Sequence, residues 1–183
     1  MSSGSIARRY ARAILAVAEG EGELEKTGEE LLALASVAAA PEVAALLANP
    51  LVAESKRRDL VTAIARELGL RPTMINTVRL LGDKQRLDQI GAIAVQYRRL
   101  LDEKLGRVRA RITSAVPLGA SDLERSVALF ENKTGKRVLA ETVVDESMLG
   151  GVIVDIEGKV FDGSLRNQLR NLAANIAGSQ SYI

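Results

Sequence analysis

The chain has 183 residues, with 25 basic and 23 acidic side chains and a formal net charge of +2. Hydrophobic residues make up 47% and aromatics 3%, which excludes a disordered tail and requires a core of Ala, Leu, Val and Ile. The absence of Cys and His removes disulfides, thiol nucleophiles, cysteine-based metal sites and the usual neutral-pH general base.

The first half reads as consecutive helices. Ser5–Glu19 opens it with two apolar sets: Ile6, Tyr10, Ala13, Ile14 and Val17, then Ala7, Ala11, Ile14, Leu15 and Ala18. Together they exceed the roughly 100° face that a helix on the outside of a bundle needs. Either this helix is central, or its extra face waits for a partner. Its acid-free start, with Arg8, Arg9 and Arg12, has the character of a transit peptide. The same helical pattern continues past Glu19, which favours an ordinary first helix.

Leu24–Ala39 is the second helix, and a short third runs from Pro41 to Asn49-Pro50. The most apolar stretch, Leu31 to Ala53, is broken by Pro41, Glu42, Asn49 and Pro50, so it is not one membrane-spanning helix. Glu54–Leu68 is the fourth, with Gly69 placed as a left-handed stop. Pro72 starts a fifth, through Met74, Ile75, Val78, Leu80 and Leu81, which Gly82 is expected to end. Arg86–Leu105 is the sixth and longest, closed by Gly106. Short connections between six helices predict an antiparallel bundle over residues 1–105.

At Gly106 the period falls to two. Val108, Ala110 and Ile112 alternate with Arg107, Arg109 and Arg111, a strand with one wet face. Ser121-Asp122-Leu123-Glu124 has the form of a capping box, opening a helix to about Thr134 that Gly135 ends. Strands follow at Arg137–Val144, Val152–Ile156 and Lys159–Phe161. A last helix over Ser164–Ala177 presents Leu165, Leu169, Leu172 and Ile176 on one side. Residues 106–183 therefore form a small α+β part with a short sheet and two helices, and the whole chain is α+β and mostly α. Gly150 and Gly151, between a turn and a strand, mark a left-handed or crowded backbone site where a side chain would clash.

No motif assembles an active site. Gly135-Lys136 fails as a phosphate loop, because Phe130 and Arg137 occupy its other key positions. Asp155, Glu157, Lys159 and Asp162 lack calcium-loop spacing. Asp145 and Glu146 are adjacent and point apart, which argues against a carboxylate-based hydrolase. Arg107, Arg109 and Arg111 form the one candidate nucleic-acid patch, and a solvated strand face explains them better. A groove between the first and fifth helices would instead accept an amphipathic segment of another protein.

Ala7-Arg8-Arg9-Tyr10-Ala11-Arg12-Ala13, Asn49-Pro50-Leu51-Val52, Gly106-Arg107-Val108-Arg109-Ala110 and Ser114-Ala115-Val116-Pro117-Leu118 occur in that order. Val144-Asp145-Glu146-Ser147-Met148-Leu149-Gly150-Gly151-Val152 and Asp162-Gly163-Ser164-Leu165-Arg166 complete the set. The ordered series resembles, over essentially the whole chain, the delta subunit of F-type ATP synthase, whose family includes the mitochondrial oligomycin-sensitivity-conferring protein. The resemblance implies a non-catalytic peripheral-stalk (stator) subunit that links the catalytic head to the membrane-anchored stalk. Such a subunit resists torque during proton-driven ATP synthesis. It implies that the helical part binds the N-terminal segment of an alpha subunit in the groove, with Ala7, Tyr10, Ala11, Ile14, Ile75 and Val78 as candidates. The α+β part would bind b-type stalk subunits, with Gly106, Gly150, Gly151 and Gly163 in structural roles. One copy in a hetero-oligomer, no cofactor, no nucleic acid and only indirect membrane association are implied, at the cytoplasmic face of a bacterial cell membrane.

Overall fold

Prolines and glycines punctuate a chain whose apolar residues otherwise recur at helical spacing. In a computed structural model, which describes residues 3–49 and 51–178, the first elements are α1 (Ser3–Glu21), α2 (Leu24–Ala38), α3 (Pro41–Ala48), α4 (Glu54–Glu67) and α5 (Pro72–Asp83). A 3-10 turn (Leu87–Gln89) leads into α6 (Ile90–Lys104). Pro41 and Pro72 occupy first turns, where a missing N–H costs nothing. Pro50, expected beside the end of the third helix, lies outside the described residues, as do the outermost residues of the two expected parts.

Two local expectations are corrected here. Gly82 does not end the fifth helix; it is buried inside α5, where an added Cβ would lie 2.7 Å from Arg58 Cγ on α4. Its role is to let α4 and α5 approach closely. The turn falls instead at Gln85, a non-glycine residue with φ 55°. The expected sixth helix is broken at its start, with Leu87–Gln89 wound as 3-10 before α6 proper begins.

The core of this first unit joins Leu31 and Leu34 of α2, Val61 of α4, Val78 and Leu81 of α5, and Ile93 and Tyr97 of α6. Tyr97 is fully buried and donates its hydroxyl to the Leu24 carbonyl at 2.8 Å, satisfying its one polar atom inside an apolar setting. That burial pushes its pKa above the usual phenol value. No single described helix is long and apolar enough to cross a membrane. α2 with Pro41–Leu47 passes by composition, but that pair is bent by 88°.

The chain divides into two compact units between Leu101 and Asp102, in the last turns of α6 and before Gly106. The second unit contains β1 (Arg107–Ser114), α7 (Ala120–Thr134), β2 (Arg137–Val144), β3 (Gly151–Ile156), β4 (Lys159–Ser164) and α8 (Leu165–Gly178). The division falls early because Asp102 is bound to β1. It accepts from Arg107 Nε and Arg109 Nε at 2.7 Å each. Gly106 makes the intervening turn with φ 61°, in the left-handed region.

The sheet order is β2-β1-β3-β4; β1 and β2 are parallel and the other pairs antiparallel. One face, with Val108, Ala110, Ile112, Val138, Val154 and Ile156, packs on Phe130 of α7. The opposite face carries Arg109 and Arg111, and Arg111 pairs loosely with Glu141 at 4.0 Å. The expected capping box is absent. Gly119 is the N-cap of α7 with no side-chain cap hydrogen bond, and Ser121 falls inside the first turn.

Gly151 has φ 80°, and a Cβ there would lie 2.4 Å from the Gly163 carbonyl oxygen across the β3–β4 ladder. Gly150 abuts Leu165 of α8, and Gly163 in turn has the Val152 oxygen 3.1 Å from where its Cβ would be.

Candidate docking surfaces

Helix α1 carries two apolar stripes offset by one residue. Ala7, Ala11, Ile14 and Ala18 recur at four, three and four, and all are buried against the unit. Ile6, Tyr10, Ala13 and Val17 repeat that spacing on the neighbouring face. There Ile6 and Tyr10 are half-buried, Ala13 is exposed and Val17 is 51% exposed. Helix α5 repeats the device. Met74, Val78 and Leu81 form the inner stripe, while Thr73, Thr77 and Leu80 form the outer one, ending in a Leu80 that is 50% exposed.

The outer stripes meet. Ile14, Val17 and Ala18 of α1 line one small depression together with Thr73, Met74 and Thr77 of α5. Glu21, in the last turn of α1, accepts a 2.7 Å hydrogen bond from the hydroxyl of Thr73, in the first turn of α5. End therefore meets beginning, and the two helices run antiparallel along this face.

The head of α5 is anchored by charge. Glu30 of α2 accepts from the Arg71 backbone N–H at 3.1 Å, capping α5 from outside. It also holds the Arg71 guanidinium by two bonds of 3.0 and 2.9 Å. Arg71 Nη2 donates to Thr27 at 2.6 Å, and Glu21 lies 3.4 Å from Nη1. The Glu30 hydrogen bond is the main reason the Arg71 pKa is raised. Carboxylates placed here also suit the positive end of the α5 dipole.

Of the sequence candidates, Ala7, Ala11 and Val78 are 0% exposed. They set the position of the groove wall from behind and offer a partner no surface. Ile14 is buried but lines the depression, and Tyr10 is half-buried on the outer stripe. Ile75 is half-buried one heptad before Gly82, on the side of α5 that meets α4, away from the groove. The exposed residues are Val17 and Leu80. Both lie in the apolar patterns of the sequence, and only the direction of burial separates them from their inward neighbours.

In the second unit an apolar stripe is exposed on α8. Leu165, Leu169 and Leu172 recur at four and three on one face, with Leu169 60% and Leu172 56% exposed. The side chain of Ile176, the expected fourth member, lies outside the described residues. Leu149, 66% exposed, precedes the Gly150–Leu165 contact and adds to apolar surface near the start of α8. An exposed leucine stripe on an amphipathic helix marks an interaction surface.

Chemistry is sparse by comparison. Among the described residues no group of His, Cys, Asp or Glu is arranged to hold a metal ion. Arg107 and Arg109 are both committed to the buried Asp102, so the arginine row does not present a free basic patch.

Comparison with known proteins finds relatives over almost the whole chain. A family model described as ATP synthase delta (OSCP) subunit matches residues 6–176. The ATP synthase subunit delta of Anaeromyxobacter sp. (strain Fw109-5) is 42% identical over 173 residues, covering 94% of this chain and 97% of that relative. The subunit delta of Myxococcus xanthus (strain DK1622) is 39% identical over 175 residues, covering 94% and 96%. A chain in the cryo-EM structure of the Toxoplasma gondii mitochondrial ATP synthase hexamer shares the fold, with TM-score 0.67 and 20% identity over 93% of this chain and 97% of that one. With a family match over almost its whole length and relatives near 40% identity, the chain belongs to the ATP synthase delta (OSCP) subunit family, the non-catalytic peripheral-stalk subunits of F-type ATP synthase.

Proposed function

We propose that the two units divide the stator's work, with the helical unit (residues 1–105) gripping the catalytic head and the α+β unit (residues 106–183) gripping the stalk. The head contact is the N-terminal helical segment of an alpha subunit, laid along the outer stripes of α1 and α5. The stalk contact is the end of the b-type subunits, seated on the leucine stripe of α8. One copy of the chain serves each complex. It lies at the cytoplasmic face of a bacterial cell membrane and touches the membrane only through the complex. The six helices of the first unit act as one bundle whose task is to present the groove.

The observation that carries this reading is that each unit exposes an apolar helix face of its own, Val17 with Leu80 in one and Leu165, Leu169 and Leu172 in the other. Resisting torque requires slow dissociation, and apolar helix-in-groove burial supplies it without a reactive group. A contact of standard size buries roughly 1,600 Å² in total.

The test uses the whole chain. Val17→Asp is expected to weaken binding of an alpha-subunit N-terminal peptide at least about tenfold while leaving capture of b-type subunits intact. Leu169→Asp is expected to do the reverse. Calorimetry for the peptide and co-purification for the stalk read both, with circular dichroism as the folding control. Loss of both contacts in either variant, or of neither, overturns the division.

A further inference from the structure

The groove is lined by apolar residues of α1 and by Thr73, Thr77 and Leu80 of α5, it is charged at its ends, and the two ends differ in sign. Continuing the outer stripe of α1 by helical spacing from Ala13 leads back to Arg9, and from Val17 forward to Glu21. Continuing the outer stripe of α5 from Leu80 leads to Lys84, the residue that caps the helix. Because Glu21 meets Thr73, the helices are antiparallel, and Arg9 and Lys84 fall at the same end, away from Glu21.

The basic end is available. Arg9 and Lys84 are exposed, and neither has an ion-pair partner among the described residues; Arg9 rests over the Tyr10 ring at 5.5 Å. The neighbouring Asp83 is already taken by Arg58 at 3.0 Å. Arg8 projects from the far side of α1, while Arg12, three residues on, is a neighbour of Arg9 on the solvent side. At the other end Arg71 is shared between Glu30 and Glu21, so two carboxylates against one guanidinium leave a net negative charge. Glu21 faces solvent there while Glu30 is buried, so the uncompensated charge is on the groove side.

Building on the reading of this groove as the alpha-subunit site, we infer that it selects an amphipathic helix of segregated charge. That helix bears acidic side chains at the end lying on Arg9 and Lys84, and a basic side chain at the end lying on Glu21. The apolar stripe holds the helix and the terminal charges fix which way round it lies. An apolar trough between two antiparallel helices has little directional preference of its own, so the ends must supply it. Complementary charge at an interface rim acts on register and on encounter rate, and salt weakens it.

Three synthetic peptides of about 20 residues, roughly 30 Å long as helices, test the inference. All carry the same leucine and isoleucine stripe. One has Glu at its first turns and Lys at its last, one has Glu at both ends, and one has Lys at both. Calorimetric titration into the full-length chain at low salt is expected to show the segregated peptide binding about tenfold tighter than either uniform one. The double variant Arg9→Glu, Lys84→Glu makes the groove acidic at both ends, and the uniformly basic peptide is then expected to bind tightest. Equal binding of all three peptides, abolished in each case by Val17→Asp, overturns the charge polarity and leaves the apolar groove standing. Absence of binding, or binding that Val17→Asp does not touch, overturns both.

Discussion

Several buried polar side chains in this protein have a named partner, and the cost of removing one can be stated. Tyr97 is the clearest case, because its hydroxyl ties α6 to the start of α2 through the Leu24 carbonyl. Tyr97→Phe keeps the packing and leaves that carbonyl without its donor. A loss of about 1 kcal/mol in denaturant unfolding of the helical unit is expected. Asp145 and Asp162 play a similar part in the second unit, each folding its carboxylate back onto a serine two residues on. Asp145 accepts from the Ser147 hydroxyl at 2.6 Å and its N–H at 2.9 Å, and Asp162 accepts from the Ser164 N–H at 2.9 Å. These hydrogen bonds hold both carboxyls below the ordinary value of 3.8. A depressed folded value means the turns are fully supported above the unfolded pKa and lose that support as pH falls through the folded one. The protection of the Ser147 and Ser164 amides, measured as exchange relative to the unstructured rate at the same pH, is expected to fall on acidification below about pH 4. Asp145→Asn and Asp162→Asn should each flatten that response at their own turn.

At the level of elements, the sequence carried the helices and strands well because their periods are strong. The alternation Val108, Ala110, Ile112 against three arginines became β1, buried on the predicted side. Where local signals failed, a tertiary approach had taken over the residue. Gly82 looks like a helix stop, yet it serves the close contact with Arg58. Ser121-Asp122-Leu123-Glu124 spells a capping box, yet the N-cap of α7 is Gly119, two residues earlier, which leaves Ser121 without that role. The groove was legible as an excess of apolar residues on α1 and α5. Which of them face outward was not, because inner and outer stripes both repeat at helical spacing and differ by one residue of phase. The charge at Glu21 was equally hidden, since its meaning depends on Glu30 and Arg71, which are distant in sequence. The β3–β4 ladder offers a test at this scale. Gly151→Ala combines a left-handed φ with a Cβ against the Gly163 oxygen. It is expected to destabilise the second unit by at least about 2 kcal/mol, seen as faster amide exchange across β3 and β4. The helical unit, which contains none of those contacts, should keep its own exchange pattern.

For the molecule as a whole, the proposed division of work makes function depend on both units being occupied at once. A chain that binds the stalk but not the head still fills the stator position. Wild-type protein mixed with Val17→Asp during reassembly of the complex is therefore expected to give ATP synthesis that falls in proportion to the variant's share. ATP hydrolysis by the detached head should be spared. Proton-driven synthesis in reconstituted vesicles measures the first, and hydrolysis in solution measures the second. A variant that bound neither partner would be ignored by the assembly, so the proportional fall is specific to a half-competent connector. The same logic applies to Leu169→Asp, which would ride on the head and leave the stalk free.

The inner stripe of α1 has one further consequence. Ala7 and Ala11 are completely buried and carry only a methyl group each, so the helix backbone itself lies almost against the unit. Any enlargement there has nowhere to go and must push the entire helix outward. Tolerated variation should therefore be lopsided along α1, broad at the exposed Arg8 and Arg12 and nearly closed at these two alanines. Ala11→Val would change how a partner is held without being within reach of it, by shifting the wall on which Tyr10 and Val17 are mounted.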